Sequence, residues 1–353
     1  MIGLYPPDDP FLINTAIFGI PLVVRWYGVL IISGAMLAGW LAARRAAARG
    51  YNPEHIWNLL MLGLLIGIPG ARAYYVIFEW ERFAGQPILQ IINPTTGGLA
   101  IHGALIGAIL AAVIYTWRNK LPFLTFLDIC MPPFLLAQAV GRWGNFFNQE
   151  AYGRPTSLGF GVLIDQDRRL PPYNDMTRYP PNTLFHPTFL YESVWNLAGF
   201  GLLLWLERRL RGWLRAGDLA LFYGVIYGVG RLWIEGLRTD SLCTNGVGGS
   251  CEGALRTAQI VSLLLIAGGL IGVYINHRLQ APQAATATAA DAAATTDATP
   301  ITAEAADVAA TTDAAPTSDE SSDELAALNE HEQADEVAVP PRLGEQPNSP
   351  NSV

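Results

Sequence analysis

The sequence predicts an all-α integral membrane protein with about seven transmembrane helices, a small outer head loop and a disordered C-terminal tail. Of the 353 residues, 51% are hydrophobic and only 15% are charged, and the mean hydropathy is +0.26. This composition is too apolar for an ordinary soluble domain. Apolar stretches of about 20 residues, the length that a helix needs to cross a bilayer, recur along the first 278 residues.

Seven apolar stretches satisfy this length requirement, and the fourth is interrupted by two consecutive prolines. The predicted spans are 22–43, 56–78, 98–117, 123–140, 187–206, 219–237 and 258–275. Glycines four residues apart recur within them, and such pairs let helix backbones approach closely. These pairs are Gly63 and Gly67, Gly103 and Gly107, and Gly224 and Gly228.

Basic residues in the short loops predict the orientation, because Lys and Arg resist translocation and mark the cytoplasmic side. They cluster after the first, third and fifth spans, whereas no Lys or Arg precedes Arg25. We therefore place the N-terminus outside and the C-terminus in the cytoplasm. A cleaved signal peptide is not expected, since it would need a basic N-terminal region. The clusters are Arg44, Arg45 and Arg49, then Arg118 and Lys120, then Arg208, Arg209, Arg211 and Arg215.

The last 75 residues differ in composition from the rest. Residues 279–353 hold 14 Asp/Glu and one basic residue, Arg342, whereas the first 278 residues hold 21 Lys/Arg and 16 Asp/Glu. A segment of Ala, Thr, Pro and acidic residues cannot bury enough apolar surface to fold. We divide the chain into an outer N-terminal segment (1–21), a membrane domain (22–278) that includes the outer head loop (154–186), and a disordered acidic cytoplasmic tail (279–353).

The cysteines and histidines predict no metal site and no cofactor. Cys243 and Cys251 lie in the outer loop between spans six and seven, where a disulfide and two free thiols are both open. Cys130, on the fourth span, is expected to be a small buried apolar residue. The three cysteines and five histidines show no ligand spacing.

Polar residues at membrane depth are the functional candidates, because an ionisable group there costs at least about 2.5 kcal/mol and usually faces a cavity or a partner. On the sixth span, Tyr227, Arg231 and Glu235 follow each other at four-residue intervals and form one polar stripe. A lined cavity and a structural ion pair are the two interpretations. His102 lies among glycines, which favours a functional role over a satisfied core histidine.

Three further polar residues have equally plain structural interpretations. Arg25 and Arg72 near the outer ends of spans one and two are compatible with snorkelling to the interface. Tyr27 is compatible with an aromatic belt. The loop 154–186 carries Arg168 and several prolines, and it is either a small folded head over the site or a solvated irregular loop.

The densest polar segment is 141–154, where one arginine, two amides and a carboxylate converge at the end of span four. These residues are Arg142, Asn145, Asn148 and Glu150. Its glycines let backbone donors approach an anion, and the fork of an arginine matches a phosphate better than a lysine does.

Segment 141–153 resembles the signature of the bacterial prolipoprotein diacylglyceryl transferases, Gly-Arg-x-Gly-Asn-Phe-x-Asn-x-Glu-x-x-Gly, at every fixed position. The segments 97–107, 186–192 and 223–240 are also similar to that family. The resemblance covers roughly residues 20–278. The loop between Cys243 and Cys251 and the acidic tail lie outside the recognised pattern.

The resemblance implies an enzyme of the bacterial plasma (inner) membrane. It would transfer the diacylglyceryl group of phosphatidylglycerol to the lipobox cysteine thiol of a preprolipoprotein. A thioether forms and glycerol phosphate is released, as the first step of lipoprotein maturation. The expected partners are phosphatidylglycerol, signal peptides of preprolipoproteins and membrane lipids, with no nucleic acid.

The resemblance also implies residue roles. Arg142 and Arg231 would hold the phosphate, and His102 is the candidate base for the thiol, whose ordinary pKa is near 8.5. Glu235 would either orient His102 or pair with Arg231. The expected catalytic residues are His102, Arg231 and Glu235, and the expected substrate-binding residues are Tyr27, Arg142, Asn145, Asn148, Glu150, Gly153 and Tyr227.

Two other function classes compete with the transferase. A transporter or channel would line a continuous polar route with its intramembrane charges. Here these residues crowd the outer half, and no inverted repeat is visible, which favours a one-sided site. A lipid-binding or scaffold protein would leave the matched signature without a purpose.

Overall fold

The computed structural model describes residues 2–17, 20–94, 97–243 and 255–296. The described chain is mostly helical, with four short strands. The strands are β1 (Ile2–Leu4), β2 (Phe11–Ile17), β3 (Ile20–Arg25) and β4 (Phe160–Val162). The helices are α1 (Trp26–Ala47), α2 (Glu54–Phe78), α3 (Trp80–Phe83), α4 (Ile88–Ile92), α5 (Ile101–Arg118), α6 (Phe123–Asn148), α7 (Thr188–Arg209), α8 (Asp218–Glu235) and α9 (Thr257–Thr296).

Each of the seven predicted spans overlaps one of the long helices. Six of these, α1, α2, α5, α6, α7 and α9, are long and apolar enough to cross a membrane. The protein is therefore a multi-pass membrane protein. Helix α8 is not among the six, because its 18 residues include three charged side chains, Asp218, Arg231 and Glu235.

The prediction of an all-helical chain omits two small sheets. Strands β2 and β3 pair as an antiparallel hairpin, and β1 pairs in parallel with β4 of the head loop. The first helix consequently begins at Trp26 and not at residue 22. An apolar stretch alone does not distinguish strand from helix, and the branched side chains of Val23 and Val24 favour the strand.

Helix α6 is longer than the predicted fourth span. It continues past residue 140 to Asn148, so most of the signature is helical. The helix contains Pro132 and Pro133, both fully buried. Prolines are tolerated inside membrane helices where neighbouring helices surround the freed backbone groups. Gln149, with φ of +54°, ends the helix in the left-handed conformation.

Helices α2 and α5 pack through glycines. A Cβ atom on Gly103 would lie 2.2 Å from the carbonyl oxygen of Gly70, and one on Gly107 would lie 3.0 Å from the Cα of Gly67. The predicted packing role is confirmed for these residues. A Cβ on Gly63 would meet nothing within 4 Å, so the prediction is wrong there.

The end of the bundle opposite the signature is held by a polar network, and we call it the Arg45 end. Arg45 donates to the carbonyl oxygens of Asp128 and Ile129 and pairs with Glu207 at 2.7 Å. The Asp128 carboxylate accepts hydrogen bonds from the backbone N–H groups of Gly217 and Ala220, at 2.7 and 3.0 Å. These contacts bind the start of α8 to α6.

Helix α9 continues to Thr296, beyond residue 279 where the sequence predicts the tail to begin. The residues after 279 are rich in alanine, the strongest helix former, so local propensity extends the helix. Residues 297–353 lie outside the described part, and their predicted disorder stays a prediction.

The glycine packing gives a matched pair of variants. Gly103→Ala is expected to destabilise the protein by about 1–3 kcal/mol, because the new methyl group overlaps the α2 backbone. Gly63→Ala is expected to be neutral or slightly stabilising, since alanine favours the helix and meets open space. Thermal unfolding in detergent micelles compares the two. Equal stability of both variants would contradict the close approach of α2 and α5.

Candidate active site

The ends of α6, α7 and α8 bring three charged side chains together. Arg142 Nη2 lies 2.7 Å from Oε2 of Glu192, and Arg231 Nη1 lies 3.1 Å from the other oxygen, Oε1. One carboxylate thus bridges two guanidinium groups that come from different helices. We call the end of the bundle that carries this contact the Arg142 end.

Two more ion pairs extend the contact. Arg231 Nη2 is 2.7 Å from Oε2 of Glu235, one helical turn further along α8. Arg238, just beyond α8, lies 3.5 Å from Glu192 and 3.9 Å from Glu235. Arg238 donates two hydrogen bonds to the carboxylate of Asp240, of 2.8 and 2.6 Å. The arginine–carboxylate cluster therefore comprises Arg142, Arg231, Arg238, Glu192, Glu235 and Asp240.

The cluster is largely shielded from solvent, and its charges balance. The side chains of Glu192 and Glu235 are 7% and 4% exposed, whereas those of Arg142 and Arg231 are 22% and 18% exposed. Glu192 and Glu235 thus lie deeper than Arg142 and Arg231, whereas Asp240, at 32%, is more exposed than Arg238, at 11%. Three arginines against three carboxylates compensate each other, which a buried charge requires. The more exposed arginines are the groups that a ligand anion can reach.

Residues 145–153, the last turn of α6 and the loop that follows it, lie beside Arg142, and we call them the signature loop. The amides of Asn145 and Asn148 both donate to Oε1 of Glu150, at 3.0 and 3.2 Å. Arg142 Nη1 is 3.5 Å from Oδ1 of Asn145. The structure thus brings together four of the predicted substrate-binding residues.

Two predicted tyrosines border the same region. The ring of Tyr27 lies against Gly144 of α6, where a Cβ atom would be 2.4 Å from the ring. Tyr227 lines a small cavity together with Glu192 and Arg231. On the wall of this cavity Gly230 contacts the indole of Trp195 so closely that a Cβ would lie 2.3 Å from Nε1.

The predicted base, His102, lies apart from the cluster. Its ring is exposed at the start of α5 and stacks on Tyr74 of α2, with 5.6 Å between the ring centroids. Across the described ranges, no hydrogen bond, ion pair or ring contact links His102 to the arginine–carboxylate cluster. Of the two roles open to Glu235, the structure has the pairing with Arg231.

The loop 154–186 is a packed head and not a solvated loop. Tyr152, Val162, Ile164, Phe185 and Phe189 form a buried core. The head is tied to the segment after α8, since the N–H of Arg154 donates to the carbonyl oxygen of Leu237. At Gly153 a Cβ would lie 2.6 Å from the Cβ of His186, so this position needs a glycine.

Arg72 has a structural role that the sequence did not indicate. It is 5% exposed, and its guanidinium donates to the carbonyl oxygens of Gln90, Ile91, Gly97 and Gly98. The snorkelling interpretation is therefore wrong for this residue. Arg72 holds the segment that leads into α5 and His102.

Cysteine positions are described only in part. Cys243 is disulfide-bonded, and Cys251 lies outside the described residues. Cys130 is a free cysteine on α6. Within the described ranges, His, Cys, Asp and Glu side chains form no group of three that could hold a metal ion.

Comparison with known proteins identifies the family. A family model described as prolipoprotein diacylglyceryl transferase matches residues 15–275. The chain belongs to this family. A phosphatidylglycerol–prolipoprotein diacylglyceryl transferase of Chloroflexus aggregans is 63% identical over 282 residues, which cover 78% of this chain and 92% of the relative. Enzymes of the same name from Gloeobacter violaceus and Synechococcus elongatus are both 44% identical, covering 74% and 72% of this chain and 92% and 83% of the relatives.

Three members of the arginine–carboxylate cluster are not among the site residues predicted from the sequence. Glu192 belongs to a matched segment, yet its role was not predicted, although a carboxylate inside an apolar span is itself a strong indication. Arg238 and Asp240 follow the predicted sixth span within the matched segment 223–240, and no role was predicted for them. Their spacing of two residues permits the paired hydrogen bonds between them, but only the fold brings Arg238 close to Glu192.

Asp240 allows a pH test. Burial opposes its ionisation, but the hydrogen bonds and charge of Arg238 outweigh burial and lower the pKa of Asp240 below its usual value. A lowered pKa stabilises the fold above the unfolded-state pKa, near 4, and this contribution is lost as the pH falls through the folded-state pKa.

Asp240→Asn is therefore expected to cost about 1–2 kcal/mol at pH 7, and its difference from the wild type should shrink below about pH 4. Thermal unfolding across this pH range is the measurement. Asp167→Asn is the control, because the ion pair of Asp167 with Arg168 is long, at 3.6 Å, and exposed. A pH-independent difference would contradict the assignment.

Proposed function

We propose that this chain transfers the diacylglyceryl group of phosphatidylglycerol to a prolipoprotein cysteine at the arginine–carboxylate cluster. One observation carries the assignment: two guanidinium groups from α6 and α8 converge on a single carboxylate, which shows that the geometry accommodates an anion. The names of the relatives supply the reaction. The chemistry requires an anion site, because the bond that breaks joins the glyceryl carbon to a phosphate oxygen.

Arg142 and Arg231 are assigned to the phosphate of the lipid. The thiolate attacks the terminal glyceryl carbon, a C–S bond forms, and the electron pair of the C–O bond leaves with glycerol phosphate. Charge therefore accumulates on the phosphate in the transition state. Arginines held in a site shielded from water stabilise this charge by bidentate hydrogen bonds.

The signature loop is assigned to the glycerol headgroup. Asn145 and Asn148 position Glu150, whose carboxylate is exposed and accepts from both amides. A hydroxyl-bearing headgroup matches such donors and acceptors. Gly153 keeps the loop close to the head, and Tyr27 and Tyr227 border the space between loop and cluster.

The thiol must lose its proton before it attacks, because the thiolate is the nucleophile. His102 is the proposed base. Its ring is exposed at the start of α5, and Arg72 fixes the segment before it. Glu235 serves Arg231 and not His102 in this assignment.

The orientation follows from the two ends of the bundle. We assign the Arg142 end, with the head and the half-cystine Cys243, to the outer face of the plasma membrane. The Arg45 end, near the arginine-rich loops, is then cytoplasmic. This assignment makes α8 a membrane span as well, which brings the total to seven and places the tail inside. The head is the proposed contact for the signal peptide.

A transport function is disfavoured by the middle of the bundle. Glu192 and Glu207 lie on the same helix α7, separated by about 22 Å at the usual rise per residue. Between them the interior is filled by Leu135 and Leu203, both fully buried. In the described residues the polar clusters at the two ends are thus separated by apolar packing, which fits a one-sided catalytic site.

Arg142→Ala is expected to lower the rate of thioether formation at least about 100-fold, because one of the two donors to the leaving phosphate is lost. The assay uses purified protein, a lipobox peptide and phosphatidylglycerol, and follows both thioether product and glycerol phosphate. Arg44→Ala is the matched control, since Arg44 is exposed at the Arg45 end and stacks on Trp40. Near-normal turnover of a folded Arg142→Ala variant would refute the phosphate site.

His102→Gln tests the base. Loss of turnover with retained binding of the lipobox peptide is the expected result, because glutamine preserves hydrogen bonding but cannot accept the thiol proton at neutral pH. Raising the pH should partly restore the rate, since more of the peptide cysteine then ionises. A variant that turns over at the wild-type rate would remove His102 from this role.

A further inference from the structure

Glu192 occupies the place where the proposed function puts the substrate phosphate. Its two oxygens take one hydrogen-bonding position on Arg142 and one on Arg231, at 2.7 and 3.1 Å. A lipid phosphate that binds both guanidinium groups needs the same positions. The lipid and the carboxylate therefore compete for one pair of partners.

The arrangement around Glu192 gives the carboxylate a second place to bind. Arg238 Nη1 lies 3.5 Å from Oε1 of Glu192, which is longer than the pairs of Glu192 with Arg142 and Arg231 but still within the distance of an ion pair. Asp240 holds Arg238 in place from the opposite side. A carboxylate displaced from Arg142 and Arg231 can thus close this gap without losing its compensating charge, which a buried anion needs.

We propose that Glu192 is an exchangeable counter-ion, which the phosphate of the substrate displaces from Arg142 and Arg231 and which returns to them when the product phosphate leaves. The inference rests on the proposed function. Before the lipid arrives, the carboxylate keeps the two arginines compensated and aligned. After the C–O bond breaks, its return competes with the departing glycerol phosphate and promotes release.

The exchange sets a specific cost on binding. The arginines must give up one anion to take another, so the affinity for the lipid is lower than two free guanidinium groups would provide. The product carries more negative charge than the diester substrate, and without the competing carboxylate it would remain bound. Glu192 therefore lowers the affinity for the lipid and raises the rate at which the product is released.

Glu192→Gln separates this role from a merely structural one. The neutral side chain no longer competes, so the KM for phosphatidylglycerol is expected to fall about five- to ten-fold. Inhibition by glycerol phosphate should strengthen by at least the same factor, and kcat should fall because release slows. If Glu192 only held the arginines in place, the variant would instead show a raised KM and weaker inhibition.

Glu207→Gln is the matched control. Glu207 lies on the same helix and also pairs with two arginines, Arg45 and Arg49, but at the Arg45 end. It should leave the KM and the inhibition constant unchanged. If Glu192→Gln does not fold, Glu192→Asp serves in its place, since the shorter carboxylate cannot reach both guanidinium groups and should shift both constants in the same direction by less.

Direct binding of glycerol phosphate to the full chain, measured by calorimetry in micelles, makes the inference independent of turnover. Tighter binding by Glu192→Gln than by the wild type is the expected result, and equal or weaker binding overturns the exchange. If the exchange is overturned in this way but the wild type still forms the thioether, the proposed function stands. A folded wild type that forms no thioether would overturn the proposed function itself.

Discussion

The bridge from Arg142 through Glu192 to Arg231 is the contact on which the rest of the site depends. It joins α6, α7 and α8, which meet nowhere else through charged side chains within the described residues at the Arg142 end. Inside an apolar bundle, unpaired charges are costly, so these three helices are constrained to keep their ends together. Under the proposed function the same constraint prepares the phosphate site, because guanidinium groups compensated by a carboxylate are already arranged for another anion.

The remaining structure supports this bridge from two sides. Asp128 binds the start of α8 to α6 at the Arg45 end, so α8 cannot slide relative to its neighbours. At the other end the packed head is tied to the segment after α8 through Arg154 and Leu237. Catalytic positioning on rigid elements, with supporting contacts behind them, is what a transfer reaction at a single carbon requires.

The helical spans and the family could be predicted from the sequence, because apolar length and a long motif are local properties. The hairpin before Trp26 could not, since strand and helix share the same apolar composition. The fork of Asp240 on Arg238 and the bridge through Glu192 were also missed, because both depend on side chains that only the packing of α7 against α8 brings together. The opposite holds for His102. Its glycine-rich setting in the sequence predicts a functional role, but within the described chain it makes no contact with the arginine–carboxylate cluster.

We propose above that the phosphate of the lipid binds between Arg142 and Arg231. A structure of the full chain with phosphatidylglycerol in a lipid nanodisc tests it most directly. The expected result is a phosphate within hydrogen-bonding distance of both guanidinium groups, with Glu192 moved toward Arg238. A phosphate bound elsewhere, while Glu192 still bridges the two arginines, would contradict the account.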